Sequence, residues 1–115
     1  MGAGRLVGFP LAIQLLKEKA TVSVLNEFTR GVSSFTRKAD TLISGVGWPN
    51  LFNGYLVNKG VVAIDAGVSV KKGRLVGDVD FESVSKKASY ITPVPGGVGP
   101  MTVACLLENL VKLQK

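Results

Sequence analysis

The sequence predicts one α/β domain, built on a mostly parallel sheet with helices on both faces. The length of 115 residues is typical of a single domain, and a hydrophobic content of 46% supports a buried core. Short apolar, β-branched runs alternate along the chain with segments of helical periodicity. This alternation is typical of a parallel sheet, because each helix carries the chain back over a face of the sheet to the start of the next strand.

The first element is a helix predicted over residues 10–20, because Pro10 suits a first turn and leucines recur after it at helical spacing. The later elements, in chain order, are a strand over 21–25, a helix over 29–38, a strand over 41–44, a short helix over 52–58, a strand over 61–65, hairpin strands over 68–70 and 74–76, a helix over 81–87, a strand over 89–91 and a closing helix over 101–115. Their order gives the β/α alternation on which the fold class depends.

Residue composition excludes several kinds of chemistry. The chain has no histidine and one cysteine, so it holds neither a Ser-His-Asp triad, nor an intrachain disulfide, nor a four-ligand Cys/His zinc site. Cys105 stands in an apolar stretch and is expected to be a buried, inert thiol. A reducing, cytoplasmic setting is expected, with a mitochondrial one left open, and no metal site is predicted.

The net charge of +6 arises from 14 basic and 8 acidic residues. The basic residues are scattered, and the one tight group, Lys71, Lys72 and Arg74, flanks Gly73 as in a solvated turn. Nucleic-acid binding is therefore not expected. Membrane contact is not expected either, because no run approaches the roughly 18 apolar residues of a spanning helix and the start lacks the pattern of a secretory signal.

Glycines gather where the predicted strands end. Gly45 and Gly47 follow one strand, Gly67 follows another, and Gly96, Gly97 and Gly99 follow the last. Ligands of parallel α/β sheets bind at these carboxyl ends, and bare backbone lets a flat or phosphorylated ligand come close. The alternative is that each glycine only permits a tight turn. Another glycine-rich loop, Gly2-x-Gly4-x-x-x-Gly8, leads into the first helix, whose N-terminus points back at it.

Three aspartates near the strand ends are interpreted as structural rather than catalytic. Asp65 ends a buried strand, and Asp80 precedes Phe81 as a helix N-cap does. Structural hydrogen bonding is therefore favoured for both, and for Asp78 as well. Lys59 is interpreted as a cation at the C-terminus of the short helix before it. No catalytic residue is assigned in this chain.

Several motifs carry a resemblance to a known family: Pro95-Gly-Gly-Val-Gly-Pro-Met-Thr102, Leu75-Val-Gly-Asp-Val-Asp-Phe81, Ser89-Tyr-Ile-Thr-Pro93 and Val7-Gly8-x-Pro10. In order and spacing they resemble the C-terminal domain of the bifunctional methylenetetrahydrofolate dehydrogenase/methenyltetrahydrofolate cyclohydrolase family. The resemblance implies a Rossmann fold. For the complete enzyme it implies oxidation of 5,10-methylenetetrahydrofolate with NADP or NAD, followed by hydrolysis of the methenyl product to 10-formyltetrahydrofolate.

The resemblance also implies where cofactor and substrate bind. It assigns Gly2, Ala3, Gly4, Glu27 and Val68 to the cofactor, and Pro93, Val94, Pro95, Gly96 and Gly97 to the wall that faces the folate. Three residues are added to the cofactor set by their position: Gly45 and Gly47 after a strand, and Thr102 at the entry to the last helix, where free N–H groups favour an oxygen. The expected partners are the folate substrate, an N-terminal catalytic domain and a second copy in a homodimer.

The chain departs from the family at its start. Residues 1–115 resemble only the NAD(P)-binding domain, so the folate-binding catalytic domain is expected to be absent and the isolated chain to be inactive. The first Rossmann strand is also expected to be absent, because only Met1 precedes Gly2. A gap of about two inter-strand spacings, roughly 9 to 10 Å, is then expected between residues 21–25 and 41–44, where a further strand belongs.

Two substitutions fall where the adenosine ribose is expected. Ala3 replaces the arginine of the family's Gly-Arg-Ser loop, and Glu27 replaces a serine. A carboxylate repels a 2′-phosphate and accepts hydrogen bonds from free ribose hydroxyls, so NAD is predicted in preference to NADP. The alternative is that Glu27 is an ordinary surface residue. The altered loop also leaves open a second function, a non-catalytic, degenerate module for nucleotide binding or dimerisation.

Overall fold

The computed structural model describes residues 1–114. Its elements, in chain order, are α1 (Gly8–Lys17), α2 (Val32–Thr36), β1 (Thr41–Ser44), β2 (Val62–Asp65), β3 (Ser69–Lys71), β4 (Arg74–Val76), α3 (Phe81–Ser85), β5 (Tyr90–Ile91) and α4 (Val98–Leu113). The predicted alternation of strands and helices is confirmed in outline. The predicted closing helix ends at Leu113, and Lys115 lies outside the described residues.

The main sheet has three parallel strands in the order β1-β2-β5. Thr41 pairs with Val62 and Ser44 with Asp65, so β1 and β2 run side by side along their whole length. Strands β3 and β4 form a separate antiparallel hairpin. The mostly parallel, Rossmann-like class predicted from the sequence is confirmed.

The hydrophobic core forms around β1 and β2. Its buried members are Leu42, Phe52, Val57, Val61, Ala63, Val79 and Val84. Phe52 and Val79 are joined by a parallel β-bridge, and Val84 is the buried residue of α3. This packing holds the loop that precedes α3 against the polypeptide that follows β1.

Helix α1 confirms the first predicted helix with shifted ends. It begins at Gly8, so that Pro10 lies in the first turn, where a missing N–H is tolerated. It ends at Lys17, and Lys19 follows in the left-handed conformation with a φ of 63°. The N–H groups of Lys19 and Ala20 donate to carbonyls of the last turn, which closes the helix in a Schellman motif.

The strand predicted over residues 21–25 is wrong as an element of this structure. Leu25 is buried and its carbonyl accepts the N–H of Gly2 at 3.1 Å, but no ladder joins the segment to a neighbour within residues 1–114. A β-branched run becomes a strand only where another strand offers unpaired backbone groups beside it. In this structure a groove, and not a neighbouring strand, lies beside residues 21–25.

The groove, about 960 Å³ in volume, separates Leu25 and the residues before it from β1. Met1 lies within it: its amino group donates to Ile43 O at 2.7 Å, and its carbonyl accepts the N–H of Gly45 at 3.1 Å. The next N–H, that of Gly2, turns to the other side and donates to Leu25 O. This alternation is that of a central parallel strand. The gap predicted from the sequence is present, with Met1 at its end.

The short helix predicted over residues 52–58 is wrong. This segment forms turns, in which Asn53 Oδ1 accepts the N–H of Tyr55 at 3.0 Å. Asparagine favours such turns because its side chain bonds the backbone two residues ahead. Lys59 therefore does not follow a helix, and its interpretation as a helix C-terminal cation is wrong as well.

The helix predicted over residues 29–38 is shortened to α2 by turns before it. Asn26 Oδ1 accepts the N–H of Phe28 at 3.0 Å, and Gly31 adopts a left-handed φ of 66° at the N-cap of α2. A helix cannot run through a left-handed residue, so it begins after Gly31. The other predicted elements differ from the structure by a few residues at their ends.

Helix α4 has no buried residue in the described structure. The prediction that Cys105 is buried is therefore wrong, since its side chain is exposed. The apolar residues around it indicated a covered helix face, but no other part of residues 1–114 covers α4. No helix of the described residues is long and apolar enough to cross a membrane.

Candidate functional site

The parallel arrangement brings the carboxyl ends of β1, β2 and β5 to one edge of the sheet. The segments that leave this edge are residues 45–49, 66–68 and 92–97. They contain most of the site residues predicted from the sequence. Ligands of this fold class bind in the crevice at this edge. The candidate site is therefore assembled from loops that three neighbouring strands hold in place.

The loop that holds Gly2 and Gly4 joins this edge to α1. A Cβ added to Gly2 would lie 2.6 Å from Gly45 O, and one added to Gly8 would overlap Gly2 O. Only glycine allows backbone segments to approach so closely. Gly4 O accepts the N–H of Phe9 at 3.0 Å, which folds the loop onto the first turn. The structure thus brings the three glycines of the predicted loop, Gly2, Gly4 and Gly8, to the N-terminus of the ten-residue helix α1. The N-terminus of a helix favours an anion.

Ala3 and Glu27 lie near the same loop. Ala3 is exposed between Gly2 and Gly4, and Glu27 is exposed two residues after the carbonyl that binds Gly2. The two ion pairs among residues 1–114 lie within α3 and its C-cap and within α4, and they do not include Glu27. Neither ion pair therefore supplies a cation that neutralises the Glu27 carboxylate.

Gly47 is joined to the start of the hairpin at Ser69, the residue after Val68. Gly47 O accepts the hydroxyl proton of Ser69 at 2.9 Å, and Ser69 follows Val68 directly in the chain. Val68 is 60% exposed, so its side chain is available to a ligand. Gly45 and Gly47 belong to the same short loop, which therefore connects the α1 end of the site to the hairpin end.

Thr102 lies one turn into α4. Its hydroxyl donates to Val98 O at 3.1 Å and is exposed. A threonine that bonds the carbonyl four residues earlier uses its proton within its own helix. The assignment of Thr102 to the cofactor stays a prediction.

The residues predicted to face the folate, Pro93, Val94, Pro95, Gly96 and Gly97, follow β5. Thr92 anchors the start of this segment, because its N–H donates to Ala63 O at 3.0 Å and its hydroxyl accepts the N–H of Asp65 at 2.8 Å. The Val94–Pro95 peptide bond is cis. Sequence reasoning missed Thr92, whose place between a short strand and a proline was the signal for such an anchor.

Asp78 is fully buried and accepts three hydrogen bonds from the polypeptide that leaves β1. Its Oδ2 accepts the Ser44 hydroxyl at 2.6 Å and the Val46 N–H at 2.7 Å, and its Oδ1 accepts the Trp48 N–H at 2.8 Å. The predicted hydrogen-bonding role is confirmed. Sequence reasoning missed its partner loop, for which Ser44 at the end of a strand was the one available signal.

Asp65 is 3% exposed and binds the next two loops. Its Oδ1 accepts the N–H groups of Gly67 at 3.0 Å and Asp78 at 3.1 Å, and its Oδ2 accepts that of Val79 at 2.8 Å. Burial raises the pKa of the Asp65 carboxyl above its usual range; the three N–H groups lower it in part, and the Asp78 carboxylate adds to the rise. The structural interpretation of Asp65 is confirmed.

The third aspartate, Asp80, occupies the N-cap position of α3 as predicted. Its carboxylate, however, accepts the Ser83 hydroxyl at 2.7 Å and makes no capping bond to a backbone N–H. Among the residues that the structure describes, no three His, Cys, Asp or Glu side chains lie close enough together to hold a metal ion.

A dinucleotide fits the residues at this edge. A Cβ added to Gly4 or Gly47 would meet nothing within 4 Å, so open space borders both loops. Pyrophosphate oxygens bind free backbone N–H groups at helix N-termini, which α1 presents beside Gly2 and Gly4. The backbone of these loops would hold the phosphates. The side chains of Ala3 and Glu27 lie near the Gly2 loop, where the ribose attached to the pyrophosphate would bind.

The fold and this glycine loop define a Rossmann-like, nucleotide-binding domain. The model of one known family, tetrahydrofolate dehydrogenase/cyclohydrolase, NAD(P)-binding domain, matches residues 1–115. The chain belongs to this family and is its NAD(P)-binding domain. The resemblance inferred from the sequence motifs is confirmed.

Curated relatives carry the name bifunctional protein FolD. The chain is 55% identical over 115 residues to the protein from Hydrogenobaculum sp. (strain Y04AAS1), and 54% identical over 116 residues to that from Campylobacter jejuni (strain RM1221). Both alignments include 100% of this chain and 41% of the relative. The chain therefore spans less than half the length of these relatives.

Solved structures agree with this assignment. The bifunctional enzyme FolD from Campylobacter jejuni superimposes with a TM-score of 0.94 at 54% identity, over 96% of this chain and 40% of that one. The Trypanosoma brucei methylenetetrahydrofolate dehydrogenase-cyclohydrolase, complexed with NADP and an inhibitor, superimposes with a TM-score of 0.88 at 42% identity, again over 96% of this chain and 40% of that one.

Proposed function

We propose that this domain is the nucleotide-binding part of an enzyme that oxidises 5,10-methylenetetrahydrofolate and hydrolyses the methenyl product to 10-formyltetrahydrofolate. The observation that carries the proposal is the contact of the Gly2 loop with Gly45 at the N-terminus of α1. Membership of the family supports the choice of reaction, because a relative at 54% identity is named as a methylenetetrahydrofolate dehydrogenase/cyclohydrolase.

In this proposal the chain binds and orients, and other residues supply acid–base catalysis. When bound, NAD(P)⁺ accepts the hydride that leaves the folate methylene carbon. The loops around Gly2 and Gly45 would hold the dinucleotide, and residues 93–97 would face the folate. The chain has no histidine, and Asp65 and Asp78 are engaged with the backbone. Family membership assigns acid–base catalysis to an N-terminal catalytic domain, and a homodimer is part of the same proposal.

The test compares the 115-residue chain with the natural gene product that contains it. The gene product is expected to form NAD(P)H from 5,10-methylenetetrahydrofolate, and the 115-residue chain is expected to form none. Turnover by the 115-residue chain alone would contradict the assignment of acid–base catalysis to a separate domain. Nucleotide binding without any turnover in the gene product would instead favour the degenerate, non-catalytic module, which the alanine at position 3 also favours.

We further propose that the domain prefers NAD to NADP. Ala3 offers no charge to a 2′-phosphate, and Glu27 is exposed close to the same loop. A carboxylate within a few ångströms of a phosphate costs about 1 to 4 kcal/mol at partly solvated dielectrics, which is about one to three decades of affinity. Arg5 and Arg30 are near the same loops in the chain, and a positive charge there would offset part of this cost.

The preference is tested by titrating both nucleotides into the gene product and its Glu27→Ser variant. The variant is expected to bind NADP⁺ about tenfold more tightly, because the repulsion is removed. Glu18→Ser, at another exposed glutamate just after α1, is the matched control and should change neither affinity. Equal affinities for the two nucleotides in the parent, unchanged by Glu27→Ser, would show that Glu27 is an ordinary surface residue.

A further inference from the structure

One buried carboxylate holds the whole loop that leaves β1. The Asp78 side chain has no exposed surface, and its three donors, Ser44, Val46 and Trp48, come from five consecutive residues. Two of these donors are backbone N–H groups, that of Val46 between Gly45 and Gly47 and that of Trp48 directly after Gly47. The loop cannot change its backbone conformation without breaking a hydrogen bond to a buried charge.

No side-chain cation pairs with this charge among residues 1–114, and the Met1 amino group interacts with it only through space. Within residues 1–114, neither ion pair includes Asp78, so the three donors are its local compensation. Burying a carboxylate in this way is expensive, and an apolar side chain would satisfy packing at lower cost. A buried charge with donors from a single loop is thus better suited to fixing the shape of that loop than to general stability.

A second carboxylate holds the first one in place. Asp65 accepts the N–H of Asp78 and that of Val79, so the backbone that carries Asp78 is tied to the end of β2. A Cβ added to Gly67 would overlap the Asp78 carboxylate, and one added to Gly77 would overlap that of Asp65. The two carboxylates and two glycines therefore pack as one unit beneath the strand ends.

We propose that Asp78 is a positioning residue for the nucleotide. It fixes the loop of residues 44–48 in the conformation that receives the cofactor, and Asp65 holds Asp78 in turn. This inference rests on the nucleotide binding proposed above. The side chain of Asp78 is buried beneath the loop, so its effect on the nucleotide acts through the backbone of that loop.

The test measures NAD⁺ and NADP⁺ affinity in the natural gene product and in Asp78→Asn. The amide supplies one acceptor oxygen in place of two, so it loses part of the bonding to the loop while keeping the shape of the side chain. We expect the dissociation constant of each nucleotide to rise by about tenfold or more. Hydrogen exchange of the Val46 and Trp48 amides, measured without nucleotide, is expected to accelerate in the same variant.

Two controls separate positioning from stability. Asp80→Asn removes a carboxylate two residues away that binds Ser83 and not the loop, and should leave affinity unchanged. Val84→Ala truncates a fully buried side chain of α3 and should lower the stability of the fold without weakening nucleotide binding. If Asp78→Asn fails to fold, Ser44→Ala removes one donor alone, and it should weaken binding about threefold.

The outcomes are distinct. Weaker binding in Asp78→Asn with faster exchange at the loop, and neither effect in Asp80→Asn, supports the proposal. Faster exchange at the loop with parent affinity for both nucleotides overturns it, since the loop is then held for stability alone. If the parent itself binds neither nucleotide, the proposed function fails, and the positioning role fails with it.

Discussion

At the scale of single residues, the molecule uses buried aspartates to join loops that are far apart in the chain. Asp65 and Ser44 are recognisable in the sequence as polar residues that end apolar strands. Their partners are not, because Asp78 lies 34 residues from Ser44 and 13 from Asp65. The sequence could therefore predict that these side chains are hydrogen-bonded, but only the tertiary fold decides which loop each one binds.

The same packing makes Gly67 intolerant of a side chain. Gly67→Ala places a methyl group into the Asp78 carboxylate and is expected to lower the free energy of unfolding by about 1–3 kcal/mol. Gly4→Ala is the control, because a Cβ there meets nothing within 4 Å. Urea denaturation of the two variants measures the difference in the free energy of unfolding. Equal values would show that the Asp78 carboxylate moves away from the added methyl group without loss of stability.

In the isolated 115-residue chain, the Met1 amino group makes stability depend on pH. Burial lowers the pKa of this amine below its ordinary value of 8.0, and the Asp78 carboxylate offsets part of the effect. The unfolded chain then binds more protons than the folded one between the lowered pKa and 8.0, so stability rises with pH across this window and is lost as pH falls.

Acetylation of the Met1 amine removes this dependence. The acetylated 115-residue chain is expected to be more stable than the free amine at about pH 6 and equally stable at about pH 9, because the amide stays neutral and still donates one hydrogen bond. Denaturation midpoints at the two pH values provide the measurement. An identical pH dependence in both chains would show that the amine is solvated and not buried against Ile43.

At the scale of elements, periodicity predicted type more reliably than extent. Strands β1 and β2 are confirmed because their apolar residues coincide with real burial, and helix α1 is confirmed although Ala12 is its one buried residue. The helix over 52–58 is wrong because an asparagine turn competes locally with it. The exposure of Cys105 could not be predicted, since the apolar spacing of α4 does not tell whether another surface covers it.

The end of α1 offers a stability test at this scale. Lys19 adopts the left-handed conformation at the position where Schellman motifs prefer glycine, so Lys19→Gly is expected to stabilise the fold by about 1 kcal/mol. Lys17→Gly, inside the last turn, is the matched control and should destabilise by about 0.5–1 kcal/mol. Thermal unfolding compares the two; a loss of stability in both variants would contradict the assigned cap.

At the scale of the whole molecule, the sheet is interrupted by the groove beside β1. The groove is lined by the segment before Leu25 on one side and β1 on the other. At one end Met1 pairs with Ile43 and Gly45 on the β1 side, and Gly2 pairs with Leu25 on the other side. Thr36 also lines the groove, and its hydroxyl is buried without a hydrogen-bond partner among residues 1–114. Sequence reasoning could predict this gap because it follows from topology rather than from side-chain detail.

A strand fused to Met1 is expected to close the gap. About five valine and isoleucine residues, added directly before Met1, would extend its ladder between residues 21–25 and β1. The extended chain should melt cooperatively at a higher temperature than the 115-residue chain, with slower exchange at the β1 amides. A fusion of the same length that contains two prolines cannot pair and should give no gain. A cooperative melt of the unextended chain, unchanged by either fusion, would contradict this account.

We propose that NAD(P) binds at the carboxyl edge of the sheet, across the Gly2 loop and the loop after β1. Hydrogen exchange of the natural gene product, measured with and without saturating NAD⁺ and NADP⁺, tests it most directly. We expect slower exchange at residues 2–8 and 44–48 and no change at the opposite edge, where β1 and β2 begin. Protection confined to that opposite edge, or none with either nucleotide, would contradict it.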